Sequence, residues 1–161
     1  MKKKNKLEYS KILYNMLFEV IDEREYFYRK FDDKLVIQFM ARYGKIPLQI
    51  NTYIDEEHEF IKMIGILYTS FDEEKRLEGA IAIAHLNSYL ANGNFEYDIN
   101  DGSIRYKLVQ CYAESKISKD LLDDMIENIL TLTDIFREKF IKINDGELPL
   151  EDFLNAPLTY S

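Results

Sequence analysis

At 161 residues, 47% hydrophobic and 14% aromatic, the chain has the apolar content of one folded domain and too much for a disordered segment. Its 29 acidic residues against 21 basic ones give a formal net charge of −8, which disfavours nucleic acid and anionic membranes as partners. A lone cysteine, Cys111, excludes an internal disulfide framework, and no apolar run approaches the roughly 18 residues of a membrane span; MKKKNK meets Glu8 and Glu19 too soon to open a signal peptide, so the expected location is the cytoplasm.

Ile12, Leu13, Met16, Leu17, Val20 and Ile21 recur at helical spacing and predict a first helix over about 7–24. DKLVIQFMARYG alternates Leu35, Ile37 and Phe39 and predicts a strand that turns near Gly44-Lys45. KIPLQINTYID alternates Ile46, Leu48, Ile50, Thr52 and Ile54 as a second strand, with Pro47 marking an edge position or a bend. EFIKMIGILYT is apolar on both faces and predicts a third strand covered on both sides. In SFDEEKRLEGAIAIAHLNSYLANG, Ser70 and Glu73 have capping-box spacing for a second helix that Gly93 can end.

NFEYDINDGSIRYKL reads as a β-hairpin. An Asp101-Gly102 type I′ turn would set Phe95 opposite Leu108, Glu96 opposite Lys107, Tyr97 opposite Tyr106, Asp98 opposite Arg105 and Ile99 opposite Ile104. The apolar members then share one face and the ion pairs the other, with the apolar face predicted to lie buried under a helix. Ser118 is the expected N-cap of a long third helix striped by Leu122, Met125, Ile126, Ile129, Thr133, Phe136 and Phe140. The last segment, 144–161, holds two prolines and predicts a tail without a long element. The expected fold is therefore α+β, order α-β-β-β-α-β-β-α, with a mainly antiparallel sheet of about five strands in a single domain over 1–143.

IAIAHLNSYLANGNFEYDINDGSIRYKL followed by ISKDLLDDMIENILTLTD resembles the YbjN family, whose fold is similar to that of type III secretion chaperones. The likeness consists of a helix ending in Leu-Asn, a strand after Gly-x-Phe, an Asp-Gly turn, a second strand, and a Ser-opened helix punctuated by Asp134. It covers about 32–142. The resemblance implies a small dimeric protein that handles other proteins, with a loosely described regulatory role and no established chemistry.

The residues themselves carry no catalytic signature. His58 and His85 lack the further ligands a metal site needs and read as a solvated turn residue and a helix-flank residue. Cys111 has no activating base nearby in sequence and reads as a half-buried strand cysteine. DINDGS fails as a calcium loop, because counting from Asp98 the glycine is fifth and position twelve is Val109. Glu56-Glu57-Glu59 and Asp123-Asp124 read as solvated charge runs. Asn87 is expected to satisfy backbone groups where the second helix meets the hairpin.

The second helix is anomalous. At about 100° per residue, Leu77, Ala80, Ile81, Ala84 and Ser88 gather on one side, and Ala82, Ile83, Leu86, Tyr89 and Leu90 on the other. Two opposed apolar faces need two covers: the sheet on one, and on the other the first or third helix of the same chain, a second subunit or a client. If the sheet takes the Ile81 side, Ile83, Leu86, Tyr89 and Leu90 form a candidate dimer or partner interface; the reverse assignment stays open. Phe95, Tyr97, Asp101, Gly102 and Tyr106, with Asn87, are structural residues. The expected function is a non-enzymatic, homodimeric protein-interaction module, chaperone-like or regulatory, with no cofactor and no metal. The alternative is a small-molecule-binding or weakly catalytic domain.

Overall fold

In the computed structural model, residues 3–44 and 46–157 are described; the expected turn at Lys45 and the end of the tail, 158–161, lie outside them. The chain is α+β. Helix α1, Lys3–Glu23, precedes strands β1 (Phe27–Phe31), β2 (Val36–Tyr43), β3 (Ile46–Asp55) and β4 (Phe60–Ser70). A 3₁₀ turn, Glu73–Lys75, leads into helix α2, Arg76–Asn87. Strands β5 (Asn94–Tyr97) and β6 (Ser103–Cys111) follow, then helices α3 (Lys119–Asn144) and α4 (Leu150–Asn155). The six strands form one antiparallel sheet in the order β1-β2-β3-β4-β6-β5. Among the described residues no helix is long and apolar enough to cross a membrane.

One strand more than expected comes from FYRKF. Its residues alternate weakly and are mostly exposed, so neither period stands out in the sequence. Tertiary pairing with β2, Phe27 to Met40 through Phe31 to Val36, makes it a strand.

Alternate residues of each strand face the helices. Ile37, Phe39, Leu48, Ile50, Ile61, Met63, Tyr106 and Leu108 are buried there. Helix α3 lies over β4 and β6, with α1 beside it toward β2 and β3 and α2 over β5. The seven stripe residues expected on α3 are all buried, and Leu121 N–H donates to the Ser118 hydroxyl as an N-cap. The closest approach is at Gly65, where an added Cβ would lie 2.8 Å from Ile129 Cγ2. Phe95, Phe136 and Phe140 pack edge-on or tilted at centroid distances of 5.4 to 6.3 Å and tie the hairpin to α3.

Three expectations are corrected. Ser70 does not cap α2: it ends β4 opposite Ser103, and Asp72 precedes the 3₁₀ turn instead. Asn144, at the end of α3, accepts from Asp72 N–H at 2.7 Å and donates to the Asp72 carboxylate at 3.1 Å. The hairpin register is shifted by two residues, pairing Phe95 with Tyr106, Glu96 with Arg105 and Tyr97 with Ile104. The loop is four residues, Ile99 to Gly102, because Asp98 closes it with Ser103 and accepts from Gly102 N–H at 2.8 Å. Gly102 takes a left-handed φ of 76° and lies against Phe71, whose carbonyl oxygen would be 2.1 Å from an added Cβ. An even shift preserves parity, so the apolar residues keep their common face, while Ile99 passes into the loop and is exposed.

The third correction concerns α2. Ile83 (3% exposed) and Leu86 (fully buried) belong to the core, and Ala82 joins them. The opposite stripe faces out, with Leu77 71% and Ile81 41% exposed. The sheet thus takes the Ile83 side. Short α4 lies beside α2 and buries Phe153 near the His85 ring.

Arg24, just past α1, donates from Nε to Asp123 at 2.6 Å and from Nη1 to Glu127 at 3.1 Å, joining the end of α1 to α3. That hydrogen bond holds the Asp123 carboxyl below the usual carboxylate range. A depressed folded pKa contributes stability above the unfolded value, near ~4, and loses it as pH falls through the folded value. Arg24→Gln should therefore cost up to ~1 kcal/mol at neutral pH and flatten the fall in melting temperature below about pH 4. An acid limb identical to wild type in a pH series of thermal melts would show that the pair contributes nothing. Ile83→Ala should cost ~2–4 kcal/mol in a urea melt, because its side chain is buried in the core.

Candidate functional site

The side chains opposite the helical layer form a second face of the sheet, and among the described residues no helix covers it. Register places them in cross-strand rows. Phe27, Met40, Gln49, Ile66, Arg105 and Glu96 make one; Arg29, Gln38, Asn51, Ile64, Lys107 and Asn94 make the next. Phe31, Val36, Tyr53, Lys62 and Val109 follow. The expectation that β4 is covered on both sides fails here. Lys62, Ile64 and Ile66 are only half-buried, shielded by their neighbours within the sheet.

Apolar groups on this face are exposed as a set. Phe27 is 84% exposed, and Met40, Tyr68 and Val109 are exposed too. Tyr68, in the bulge of β4 with φ 52°, donates its hydroxyl to Gln49 at 2.6 Å, and Gln49 donates in turn to Asn51 at 2.9 Å. Two shallow cavities flank the first row. One, of about 330 Å³, is lined by Phe27, Arg29, Met40 and Gln49. The other, of about 540 Å³, is lined by Ile66, Glu96, Arg105 and the hairpin loop.

The charge on the face opposes that of the molecule. Strand positions facing outward carry Arg29, Arg42, Lys62, Arg105 and Lys107 against Asp55 and Glu96, in a chain whose formal net charge is −8. Glu96 is bridged by Arg105 at 2.6 Å and by Lys107. Burial alone would raise the Glu96 carboxyl, but the two cations outweigh it and hold it below the usual range. Lys62 sits 4.7 Å above the Tyr53 ring. Among the described residues, Arg29 and Arg42 form no ion pair.

The residues singled out from sequence are dispersed. Ile83 and Leu86 of the expected interface are core residues, so they cannot contact a partner; Leu90 is half-buried against the core, and only Tyr89 is exposed. Asn87 clamps the hairpin by donating to Phe95 O at 2.9 Å and accepting from Phe95 N–H at 2.8 Å, as a neighbouring strand would. Phe95 and Tyr106 are buried, and the Tyr106 hydroxyl lies 2.8 Å from Asn92 O and 3.0 Å from Asn128 Oδ1. Tyr97 is half-buried and donates to Arg76 O at 3.0 Å. Asp101 accepts from Ser103 N–H at 2.8 Å, bracing the loop beside Gly102.

His58 is an exposed turn residue held by Asp55, and His85 flanks α2 against Tyr89 and Phe153. Cys111 is exposed rather than half-buried, because it is the last residue of β6, where neighbouring strand residues shield it less than they shield the middle of the face. Glu59 and Asp123 lie in ion pairs with Lys6 and Arg24. Among the described residues no group of three or more His, Cys, Asp or Glu is placed to hold a metal.

Sequence reasoning missed Phe27, Arg29, Met40 and Ile66 as one surface. Their common parity is legible only once the strand order is known, since they come from three separate strands. No protein-family model matches the chain, and no curated protein is significantly similar to it.

Because Asn87 satisfies both polar groups of Phe95 at the sheet's edge, Asn87→Ala should cost ~1–3 kcal/mol in chemical denaturation. Asn87→Asp, which can accept but not donate, should recover part of the loss at most. An unchanged midpoint for Asn87→Ala would mean that water replaces the clamp without cost.

Proposed function

We propose that this chain is a non-enzymatic protein-interaction module, chaperone-like or regulatory, that presents the open face of its sheet to a protein partner. One observation carries the reading. Among the described residues helices cover one face only, while the other exposes Phe27, Met40 and Val109 beside half-buried Ile64 and Ile66. Exposed apolar groups on one face, interspersed with amides and flanked by cations, are the kind of surface that marks a contact site.

The likeness to the YbjN family, carried by the α2–hairpin–α3 segment, supports a protein-handling role and a homodimer. The dimer contact belongs on the outward stripe of α2, where Leu77 and Ile81 are exposed and Ala84 and Ser88 allow close approach. The open sheet face is unsuited to self-pairing, since two copies would set like net charge against like.

A small-molecule reading has one observation in its favour. Arg137 is 5% exposed, its Nε has no partner, and it borders a cavity of about 390 Å³ with Ile46, Asp134 and Ile141. Burial lowers the Arg137 pKa, and the Asp134 and Glu138 carboxylates beside the cavity leave its charge mixed.

Affinity capture from a native lysate, run in parallel with wild type and Phe27→Asp/Ile66→Lys, tests the module. A stoichiometric protein retained by wild type and lost by the variant is the expected result. Wild type retaining none overturns the reading in favour of the small-molecule one. Light scattering at micromolar concentration should give a dimer for wild type and a monomer for Leu77→Glu/Ile81→Lys.

A further inference from the structure

We infer that the open face of the sheet receives an acidic amphipathic helix of a partner protein, an inference that rests on the protein-interaction reading above. The charge of the face comes first. Five cations and two carboxylates point outward from the strands, and Arg29 and Arg42 have no counter-charge within the described residues. Carboxylates on the partner would supply it. The acidic turns at one end of the sheet, Asp32-Asp33 and Glu56-Glu57, bound this basic region and disfavour a longer acidic segment running past them.

The shape of the face gives the secondary structure of the partner. The inner strands already spend their backbone groups on one another, so a segment lying across them meets side chains only. It must satisfy its own N–H and C=O groups, which a helix does and an extended segment does not. The two cavities stand at opposite ends of the row from Phe27 to Glu96. Six strands span ~24 Å, the length of a helix of about 16 residues. Apolar side chains along one helical stripe would reach Met40 and Ile66, with flanking carboxylates over Arg29 and Arg42 on either side of that row.

The alternatives fit less well. The seven-pair ladder of β3 and β4 is ~23 Å long, so the face offers roughly 550 Å². That is below the ~800 Å² per partner of a standard protein interface, and self-pairing is opposed by charge. Single-stranded nucleic acid would need free cations and open rings. Here Glu96 already engages Arg105 and Lys107 and Lys62 occupies one face of Tyr53, which leaves, among the described residues, two unpaired outward cations for a phosphate backbone on a chain that is acidic as a whole.

The test is an NMR titration of the full-length ¹⁵N-labelled protein with three probes. They are a helical peptide of about 16 residues with a leucine stripe flanked by glutamates, the same peptide with lysine for every glutamate, and single-stranded oligo(dT). The glutamate peptide should shift the amides of Phe27, Met40, Ile66 and Arg105. Its affinity should fall about tenfold in Arg29→Glu/Arg42→Glu, whose exposed, unpaired side chains can be changed without disturbing the core. Equal shifts with the lysine peptide, shifts confined to the helical layer, or oligo(dT) binding at these amides would each overturn the inference. A captured protein that needs the open face but contacts it without an acidic helix would overturn it too, while leaving the interaction reading intact.

Discussion

The fold depends on how closely α3 lies on β4. Gly65 removes a side chain at the middle of the sheet, so Ile129 and Thr133 descend into the space where a Cβ would stand. That contact fixes the height of the helical layer, and the rest of the core is built at the same level. α1 reaches β2 and β3 beside it, and the Phe95, Phe136 and Phe140 rings close the gap to the hairpin. Because α1, α2 and α3 all commit to one side, the sheet's second face is left without a layer among the described residues. The asymmetry that stabilises the core therefore also creates the surface on which function is proposed to rest.

Charge follows the same division. A chain with net charge −8 places its carboxylates on helices and turns, where several are engaged by Arg24, Lys119 and Lys6. The outward strand positions favour cations instead, five against the carboxylates Asp55 and Glu96. Long basic side chains suit such a surface, since their methylene stems cover apolar neighbours while the heads stay in water. Arg and Lys on an uncovered sheet also oppose edge-to-edge and face-to-face self-association. On the reading proposed above, this arrangement would keep a partly apolar face from meeting the same face of another copy while leaving it attractive to an acidic partner.

Much of this was legible in the sequence, and the failures have physical causes. The long stripe of α3, the Ser118 cap and the parity of the hairpin were readable because each is a local pattern repeated several times. The clamp at Asn87 was readable because the helix end and Phe95 lie eight residues apart. The hairpin register was not, since Asp-Gly fits both a tight turn and a four-residue loop, and contact between Gly102 and Phe71 selects the latter. Strand β1 was missed because pairing with β2, not burial, makes FYRKF a strand. Double apolarity misled for β4, which is apolar on two faces yet covered by helices on one among the described residues, because coverage is decided by the number of layers and not by the element itself.

The two surfaces left open lie on opposite sides of the molecule. The Leu77–Ile81 stripe of α2 points away from the sheet, whereas the basic face lies beyond it. On the reading proposed here, a dimer formed through α2 would leave both sheet faces free. Two partner helices could then bind one dimer without competing for space. Each docking area is small, roughly 550 Å² by strand spacing, and a single contact of that size is weak. Pairing two of them raises the effective concentration of the second contact once the first is made. A bivalent partner, or one displayed in many copies, would therefore be held far more tightly than a single acidic helix. Weak sites doubled by dimerisation would suit a protein whose role is to hold others reversibly.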